Sequence, residues 1–251
     1  MKKNTSTLAI KNITTSIGDT KIVKGVSLTI RQGEVHVIMG TNGSGKSSLV
    51  NAIMGHPKFS ETKGSVELDG EDILHKTTTE KARKGIFLSM QHLPSIDGIT
   101  LAYFLHQSYK VLGAEKKSIM DFYNEAKEVA RSVGIPESLL DRSLNAGLSG
   151  GEKKQSEVIQ LLMLRPKFAF LDEIDSGVDI DALKKVWKGV TKLKEEGTGF
   201  VLITHYPTIL QSITPDKVHV MADGKVVASG GMDLVQKIEK GGFAQIFEKD
   251  D

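Results

Sequence analysis

A glycine-rich run at residues 40–47 has the residue types and the spacing of a phosphate-binding loop. It reads Gly-Thr-Asn-Gly-Ser-Gly-Lys-Ser, which matches G-x-x-x-x-G-K-[ST], and it stands between a predicted strand and a predicted helix. Backbone N–H groups at such a loop and helix start favour phosphate oxygens. Lys46 is predicted to neutralise the β- and γ-phosphates of a nucleotide, and the Ser47 hydroxyl to ligate Mg²⁺. The predicted nucleotide-binding residues of this segment are Gly40, Thr41, Asn42, Gly43, Ser44, Gly45, Lys46, Ser47 and Ser48.

Two adjacent carboxylates follow a short apolar run at residues 168–171. In a parallel sheet the end of that strand lies beside the phosphate-binding loop, so Asp172 is predicted to hold the Mg²⁺ shell. Glu173 is predicted to position and polarise the attacking water. An acidic pair at the start of a helix is the competing interpretation, and such pairs are common and inert. The phosphate-binding loop favours the catalytic interpretation, which is Mg²⁺-dependent hydrolysis of a nucleotide.

A Ser-Gly-Gly turn at residues 149–151 stands between these two motifs and opens a predicted helix. Its backbone N–H groups would form a second anion-binding nest at a helix start. One chain does not need two such nests for one phosphate. An isolated Ser-Gly-Gly is usually an ordinary loop, but its position ahead of the acidic strand end favours an anion site.

The apolar patterns along the chain predict the elements that must position these residues. Predicted strands cover residues 8–13, 22–30, 35–39, 65–68, 85–90, 168–171, 200–204, 218–221 and 226–228, and predicted helices cover 46–54, 151–164, 181–195 and 235–240. Their alternation predicts a single α/β domain over residues 1–251, with a mostly parallel core sheet and antiparallel strands at its edge. Residues 92–147 change to helical periodicity, as in 101–112 and 119–133, and are predicted to form an inserted helical subdomain between core segments 1–91 and 148–251.

The composition limits the class of protein. The 251 residues are 39% hydrophobic and 25% charged, as in an ordinary globular protein, and the net charge of +2 gives no reason to expect a nucleic-acid or anionic-membrane partner. Basic pairs such as Lys153-Lys154 are best explained by solvated helix faces. The absence of cysteine excludes disulfides and thiolate ligation of iron–sulfur clusters. No apolar run approaches the roughly 18 residues of a membrane helix, so a cytoplasmic location is predicted.

Together these motifs resemble the ATP-binding cassette ATPases along nearly the whole chain. The resemblance implies a P-loop NTPase fold, ATP as substrate, Mg²⁺ as cofactor and a transient ATP-dependent homodimer. In such a head-to-tail pair, the turn of one protomer meets the γ-phosphate held by the other, and the implied contacts are Ser149, Gly150 and Gly151.

The same resemblance implies roles for three further residues. Gln91 would contact Mg²⁺ and the attacking water, His205 would contact the γ-phosphate, and Asp179 would carry communication across the dimer. Without the resemblance, these residues also fit a polar strand end, a solvated histidine and a helix N-cap. The implied catalytic residues are therefore Lys46, Glu173 and His205, and the implied metal ligands are Ser47, Gln91 and Asp172.

Four stretches narrow the resemblance further. Residues 54–57, 150–154, 172–183 and 204–206 look like the SufC group, the ATPases of the SUF iron–sulfur cluster assembly machinery. This implies docking onto SufB-like and SufD-like scaffold proteins, whose conformation ATP hydrolysis would change.

The chain departs from these patterns at Gln155, where that group usually has Arg, and at Ile17, where many cassettes stack an aromatic side chain on adenine. An apolar contact with the base, without stacking, is expected at Ile17. Two other functions stay open on the sequence. One is the ATPase subunit of a membrane transporter, and the other is a nucleotide-binding switch with little hydrolysis.

Overall fold

A six-stranded, mostly parallel sheet forms the centre of the computed structural model, which describes residues 5–59, 61–91, 93–113, 117–204, 210 and 212–247. The strands are β3 (Val35–Met39), β6 (Ile86–Ser89), β9 (Phe168–Asp172), β10 (Gly199–Ile203), β11 (Lys217–Ala222) and β12 (Lys225–Gly230). Their order is β12-β11-β3-β10-β9-β6, and β12 alone is antiparallel to its neighbour within this sheet. Every residue of β3, β9 and β10 is buried, as expected for parallel strands covered on both faces. The predicted parallel core with an antiparallel edge is confirmed.

A second, antiparallel sheet packs against the first. It contains β1 (Thr7–Ile17), β2 (Thr20–Arg31), β4 (Lys63–Leu68) and β5 (Glu71–Asp72), in the order β2-β1-β4-β5. Leu8 and Ile10 of this sheet share one apolar cluster with Ile38 and Phe170 of the central sheet. Three of these strands are predicted from the sequence, as 8–13, 22–30 and 65–68, but the sequence does not indicate that they leave the central sheet, because strand pairing is a long-range contact.

Helices cover both faces of the central sheet. They are α1 (Lys46–Met54), α2 (Thr78–Arg83), α5 (Gly150–Leu164), α6 (Ile180–Glu195), α7 (Met232–Gly241) and α8 (Ala244–Phe247), with α3 (Leu101–Val111) and α4 (Ile119–Ser132) between α2 and α5. The close crossing of α5 and α6 requires Gly189, since a Cβ there would lie 2.3 Å from Val158 Cγ1. In the described part of the chain, no helix combines the length and the apolar character that a membrane span needs.

The segment between β6 and α5 is largely helical but also contains two short strands, β7 (Ile96–Thr100) and β8 (Ser143–Leu144). These strands were not predicted, because β7 is mostly exposed and has no apolar alternation. Leu105, Phe122 and Ala126 of this segment belong to the same buried cluster as Val158 and Leu171 of the core. The apolar core therefore continues from the central sheet into the helical segment.

Candidate functional site

The phosphate-binding loop connects β3 to α1, and its glycines take conformations that other residues adopt only with strain. Gly40 has a φ of 151°, and a Cβ at this position would lie 2.2 Å from the carbonyl oxygen of Met221. Gly45 is the N-cap of α1 with a φ of 100°. The loop thus passes close to the β11 backbone and turns its N–H groups at the start of a helix, which is an arrangement that favours anions.

Lys46 is buried at the first position of α1. Its Nζ donates to the carbonyl oxygens of Gly40 and Thr41, both at 2.9 Å. Burial lowers the pKa of the Lys46 ammonium, while the negative charges of Glu173 and Asp172 act in the opposite direction. The cation is held at the loop by carbonyl oxygens and faces the two carboxylates across it.

Ser47 and Asp172 meet across the site. Ser47 Oγ donates to Asp172 Oδ1 at 2.9 Å, and only 1% of Asp172 is exposed. Burial raises the pKa of Asp172 to about 6, against the hydrogen bond from Ser47. A hydroxyl beside a carboxylate offers hard oxygen donors, and Mg²⁺ usually takes one or two such protein ligands together with waters and phosphate oxygens. The described residues contain no cluster of three or more His, Cys, Asp or Glu suited to a metal, so a cation here would depend on that mixed shell.

Glu173 and Gln91 also lie together, although 82 positions separate them in the sequence. Gln91 Nε2 donates to Glu173 Oε2 at 2.6 Å. The backbone N–H of Glu173 donates to the carbonyl oxygen of Ile203, and its φ is 50°, in the left-handed region. The backbone at Glu173 therefore turns away from the direction of β9. The Glu173 carboxylate lies beside the Gln91 side-chain amide, near the end of β6.

A cavity of about 590 Å³ joins these residues. Its lining combines the loop, Gln91 and Glu173 with the apolar side chains of Ile17 and Ile22. The described lining residues are Ile17, Ile22, Asn42, Gly43, Gly45, Lys46, Ser47, Ser48, Gln91, Glu173 and Ser176. Ile22 and Ser176 line the cavity but are not among the residues predicted from the sequence. Ser176 follows the acidic pair by three positions, whereas Ile22 belongs to a distant strand. The place of Ile22 near the β1–β2 turn, close to Ile17, is the signal that could have identified it.

The Ser-Gly-Gly turn does not line this cavity. Ser149 is the N-cap of α5 and forms a capping box, because its hydroxyl accepts from the Glu152 N–H at 3.2 Å and its own N–H donates to the Glu152 carboxylate at 2.8 Å. Gly150 lies against the 175–179 loop, where a Cβ would be 2.7 Å from the Gly177 carbonyl oxygen. Two anion-favouring helix starts of one chain therefore occupy different places.

Asp179 is the N-cap of α6. Its Oδ1 accepts from the N–H groups of Asp181 and Ala182 at 3.1 and 2.9 Å. A Cβ on Gly151 would lie 3.1 Å from Asp179 Oδ2, so the two helix starts adjoin. The N-cap role is therefore observed, and a communication role stays a prediction. His205, the other residue predicted from the resemblance, lies outside the residues that the structure describes.

Lys154 corrects one interpretation of the sequence. The Lys153-Lys154 pair was expected on a solvated face, but Lys154 is buried and its Nζ lies 2.9 Å from Glu157 Oε2. Basic residues at adjacent helix positions point in different directions, so one of them can face the core.

The chain is similar to known proteins along most of its length. A family model described as ABC transporter matches residues 23–176. The chain is 48% identical over 240 residues to Vegetative protein 296 of Bacillus subtilis (strain 168), an alignment covering 95% of this chain and 92% of that protein. It is 49% identical over 243 residues to a probable ABC transporter ATP-binding protein of Streptococcus pyogenes serotype M3, covering 96% of this chain and 95% of that protein. Among solved structures, an ATP-binding cassette of an ABC transporter in its ADP conformation has a TM-score of 0.77 and 28% identity, covering 98% of this chain and 99% of that chain.

Proposed function

The chain belongs to the ABC transporter family of ATP-binding cassettes, and from that premise we propose that two copies hydrolyse ATP head to tail to change the conformation of a protein partner. One observation supports the pairing of two copies. The cavity that contains Lys46, Ser47 and Glu173 is not lined by residues 149–151. The second anion-favouring turn is then available to the nucleotide of another copy.

The cavity supports a role for each end of a bound ATP. Backbone N–H groups of residues 40–48 and the Lys46 ammonium would bind the phosphates. Ile17 and Ile22 would contact the base through apolar surface without stacking. These roles follow from the charged and the apolar side chains that line the cavity together.

Ser47, Asp172 and Gln91 would hold Mg²⁺, which when bound neutralises charge on the β- and γ-phosphate oxygens. Glu173 would position and polarise the attacking water as a general base. The 2.6 Å hydrogen bond from Gln91 fixes the orientation of that carboxylate. In the same proposal His205 would contact the γ-phosphate.

Pairing would bring the start of α5 to the γ-phosphate of the other copy. The N–H groups of Gly150 and Gly151 stand at the positive end of a 15-residue helix, where they would bind an anion. Because Gly150 contacts the 175–179 loop, displacement of the turn would reach Asp179 directly. That contact supports the communication role proposed for Asp179.

A surface groove beside Gln91 offers a place for the partner. It has a volume of about 330 Å³ and is mostly apolar. Met54, His56 and Pro57 line it, and they belong to the 54–57 stretch that looks like the SufC group. The lining ends at Met90, the neighbour of Gln91. We infer that SufB-like and SufD-like scaffolds dock here and against the helical segment between β6 and α5, which would act as an inserted subdomain.

The Streptococcus pyogenes relative favours a second candidate, because it is named as a probable ABC transporter ATP-binding protein. In that case the same groove would receive a segment of a membrane protein. The ATPase mechanism is common to both candidates, and only the partner differs.

Two measurements test the proposal. Phosphate release by the purified chain, with ATP and Mg²⁺, is expected to rise more steeply than linearly with protein concentration because pairs are the active species. Affinity capture of the tagged chain from its native cells, with detergent present, is expected to recover scaffold proteins of the SufB and SufD type. Recovery of a membrane protein instead would select the transporter candidate, and absence of phosphate release would leave only nucleotide-dependent switching.

A further inference from the structure

A buried charged pair lies inside α5, behind the turn at residues 149–151. Lys154 Nζ lies 2.9 Å from Glu157 Oε2, and their side chains are 8% and 2% exposed. The two residues are one helical turn apart, so their side chains share one face of the helix. That face points to the central sheet rather than to solvent.

The pair contacts the end of β6 through two hydrogen bonds. Ser89 Oγ donates to Glu157 Oε1 at 2.8 Å, and Lys154 Nζ donates to the carbonyl oxygen of Met90 at 3.4 Å. The next residue along the chain is Gln91, which donates to Glu173. A continuous set of polar contacts therefore leads from α5 to the carboxylate proposed to position water.

Stability alone does not account for this pair. Burial raises the pKa of Glu157, while Lys154 and Ser89 act in the opposite direction by binding the charged carboxylate. The desolvation cost of a buried ion pair offsets much or all of its attraction, and apolar side chains of similar volume are often as stable. The pair instead fixes a position, because its hydrogen bonds hold the end of β6 at one place along α5.

The geometry also allows motion to be transmitted. A helix rises about 1.5 Å per residue, so Lys154 and Glu157 lie roughly 8 and 12 Å along α5 from Ser149. On its other side, β6 is hydrogen-bonded to β9, where Ser89 pairs with Leu171. A shift of α5 would therefore move the β6 end relative to the β9 end, which carries Asp172 and Glu173.

We propose that Lys154 and Glu157 are positioning residues that couple the 149–151 turn to Gln91 and Glu173. When the start of α5 binds the nucleotide of the other copy, the hydrogen bonds of the pair carry the end of β6 along with α5. This movement positions Gln91 for its contact with Glu173. This inference rests on the proposed function, in which two copies share each site. The pair would connect the nucleotide bound by one copy to Gln91 and Glu173 of the other copy.

The test compares charge-removing substitutions of the buried pair with one at Lys153, the neighbour of Lys154 in the sequence. Lys154→Gln and Glu157→Gln are expected to lower kcat by about tenfold to hundredfold, because a misplacement of about 1 Å costs that much. The ATP dissociation constant of the single chain, measured by calorimetry, is expected to change by less than about twofold, since neither residue lines the cavity. Lys153→Gln removes the same charge from a half-buried position and is expected to keep the wild-type kcat.

An apolar double variant separates positioning from folding. For the double variant Lys154→Met with Glu157→Leu, the urea concentration at the midpoint of unfolding is expected to equal or exceed that of wild type. Its kcat is nevertheless expected to stay low. Ser89→Ala gives a milder second variant, with an expected fall in kcat and an unchanged ATP dissociation constant. A folded double variant with the wild-type kcat would overturn the inference, as would an equal effect of Lys153→Gln. Failure of the proposed function itself is recognised separately, because in that case the wild-type chain releases no phosphate.

Discussion

Acidification is predicted to destabilise the fold through two buried histidines. His36 of β3 and His219 of β11 lie side by side, with His219 Nε2 3.2 Å from His36 Nδ1. The chain of contacts extends from His36 to Glu34 at 3.2 Å and from His219 to Ser229 at 2.8 Å. Every ring nitrogen therefore has a partner while both rings are neutral.

The magnitude follows from the pKa of His219. Burial first, and then the charges of His36 and Lys217, lower this pKa from 6.5 to about 4. Between those values the unfolded chain binds a proton that the folded chain does not, so the free energy of unfolding falls as the pH falls. Linkage gives a loss of about 2 kcal/mol between about pH 7.5 and about pH 5 for this residue alone.

His36 acts in the same direction, because burial lowers its pKa as well, against the attraction of Glu34 and Asp216. Lys217 disfavours the charged form of both rings. The stabilisation is therefore complete above the unfolded-state pKa of 6.5 and is lost progressively as the pH falls towards 4.

Urea unfolding followed by circular dichroism at several pH values measures this effect. The variant His219→Asn cannot take up a proton in this range, so it is expected to be less stable than wild type at neutral pH but to have a shallower pH dependence. Equal pH dependence of the two chains would refute the assignment to His219. The wild-type chain alone does not isolate this effect, because the raised pKa of Asp172 acts on stability in the opposite direction as the pH falls. A difference in unfolding free energy between wild type and His219→Asn that does not narrow from about pH 7.5 to about pH 5 would refute the linkage reasoning itself.

Three substitutions test the proposed nucleotide site. Glu173→Gln is expected to reduce turnover by roughly 10²–10⁴, through loss of water activation, with ATP binding largely intact by calorimetry. Lys46→Ala is expected to weaken ATP binding by about tenfold to hundredfold, because a charge-assisted contact to phosphate is lost, and to reduce turnover as well. Ile17→Tyr is expected to tighten nucleotide binding by about tenfold, through stacking of the tyrosine ring on the base, since Ile17 lines the cavity.

Each of these expectations has a contradicting result. Wild-type turnover in Glu173→Gln would remove Glu173 from its role, and unchanged ATP affinity in Lys46→Ala would place the phosphates elsewhere. An unchanged or weakened affinity in Ile17→Tyr would show that the base does not lie against β1.

Local spacing was sufficient to predict the elements around the loop. The predicted strand 35–39 and helix 46–54 agree with β3 and α1, because an apolar run and a glycine-rich turn depend on neighbouring residues only. The meeting of Ser47 and Asp172 follows from the same logic, since parallel strands end at one edge of the sheet. The contact between Gln91 and Glu173 has no local signal, and only the family resemblance placed both residues at one site.

The features that the sequence did not predict depend on packing between distant segments. Whether Lys154 faces solvent or a buried carboxylate depends on where α5 rests on the sheet, and adjacent lysines carry no mark of that choice. Ile22 lines the cavity because the β1–β2 hairpin approaches the start of α1, where a Cβ on Gly45 would lie 3.0 Å from the Ile22 carbonyl oxygen. The histidine pair joins residues 183 positions apart, so neither residue could be interpreted alone.

Mixing two inactive variants tests the shared-site account most directly. Glu173→Gln removes water positioning, whereas Ser149→Asp keeps a good N-cap and places a carboxylate where the other copy's phosphate would bind. At equal concentrations half of the pairs contain one of each variant, and each such pair has one site with both halves intact. Phosphate release is expected to rise above that of either variant alone, with about a quarter of the wild-type rate as the upper limit. The coupling through Lys154 and Glu157 keeps it below that limit, because the chain that supplies the intact Glu173 carries the altered turn. A mixture that releases no more phosphate than the two variants measured separately would contradict the account.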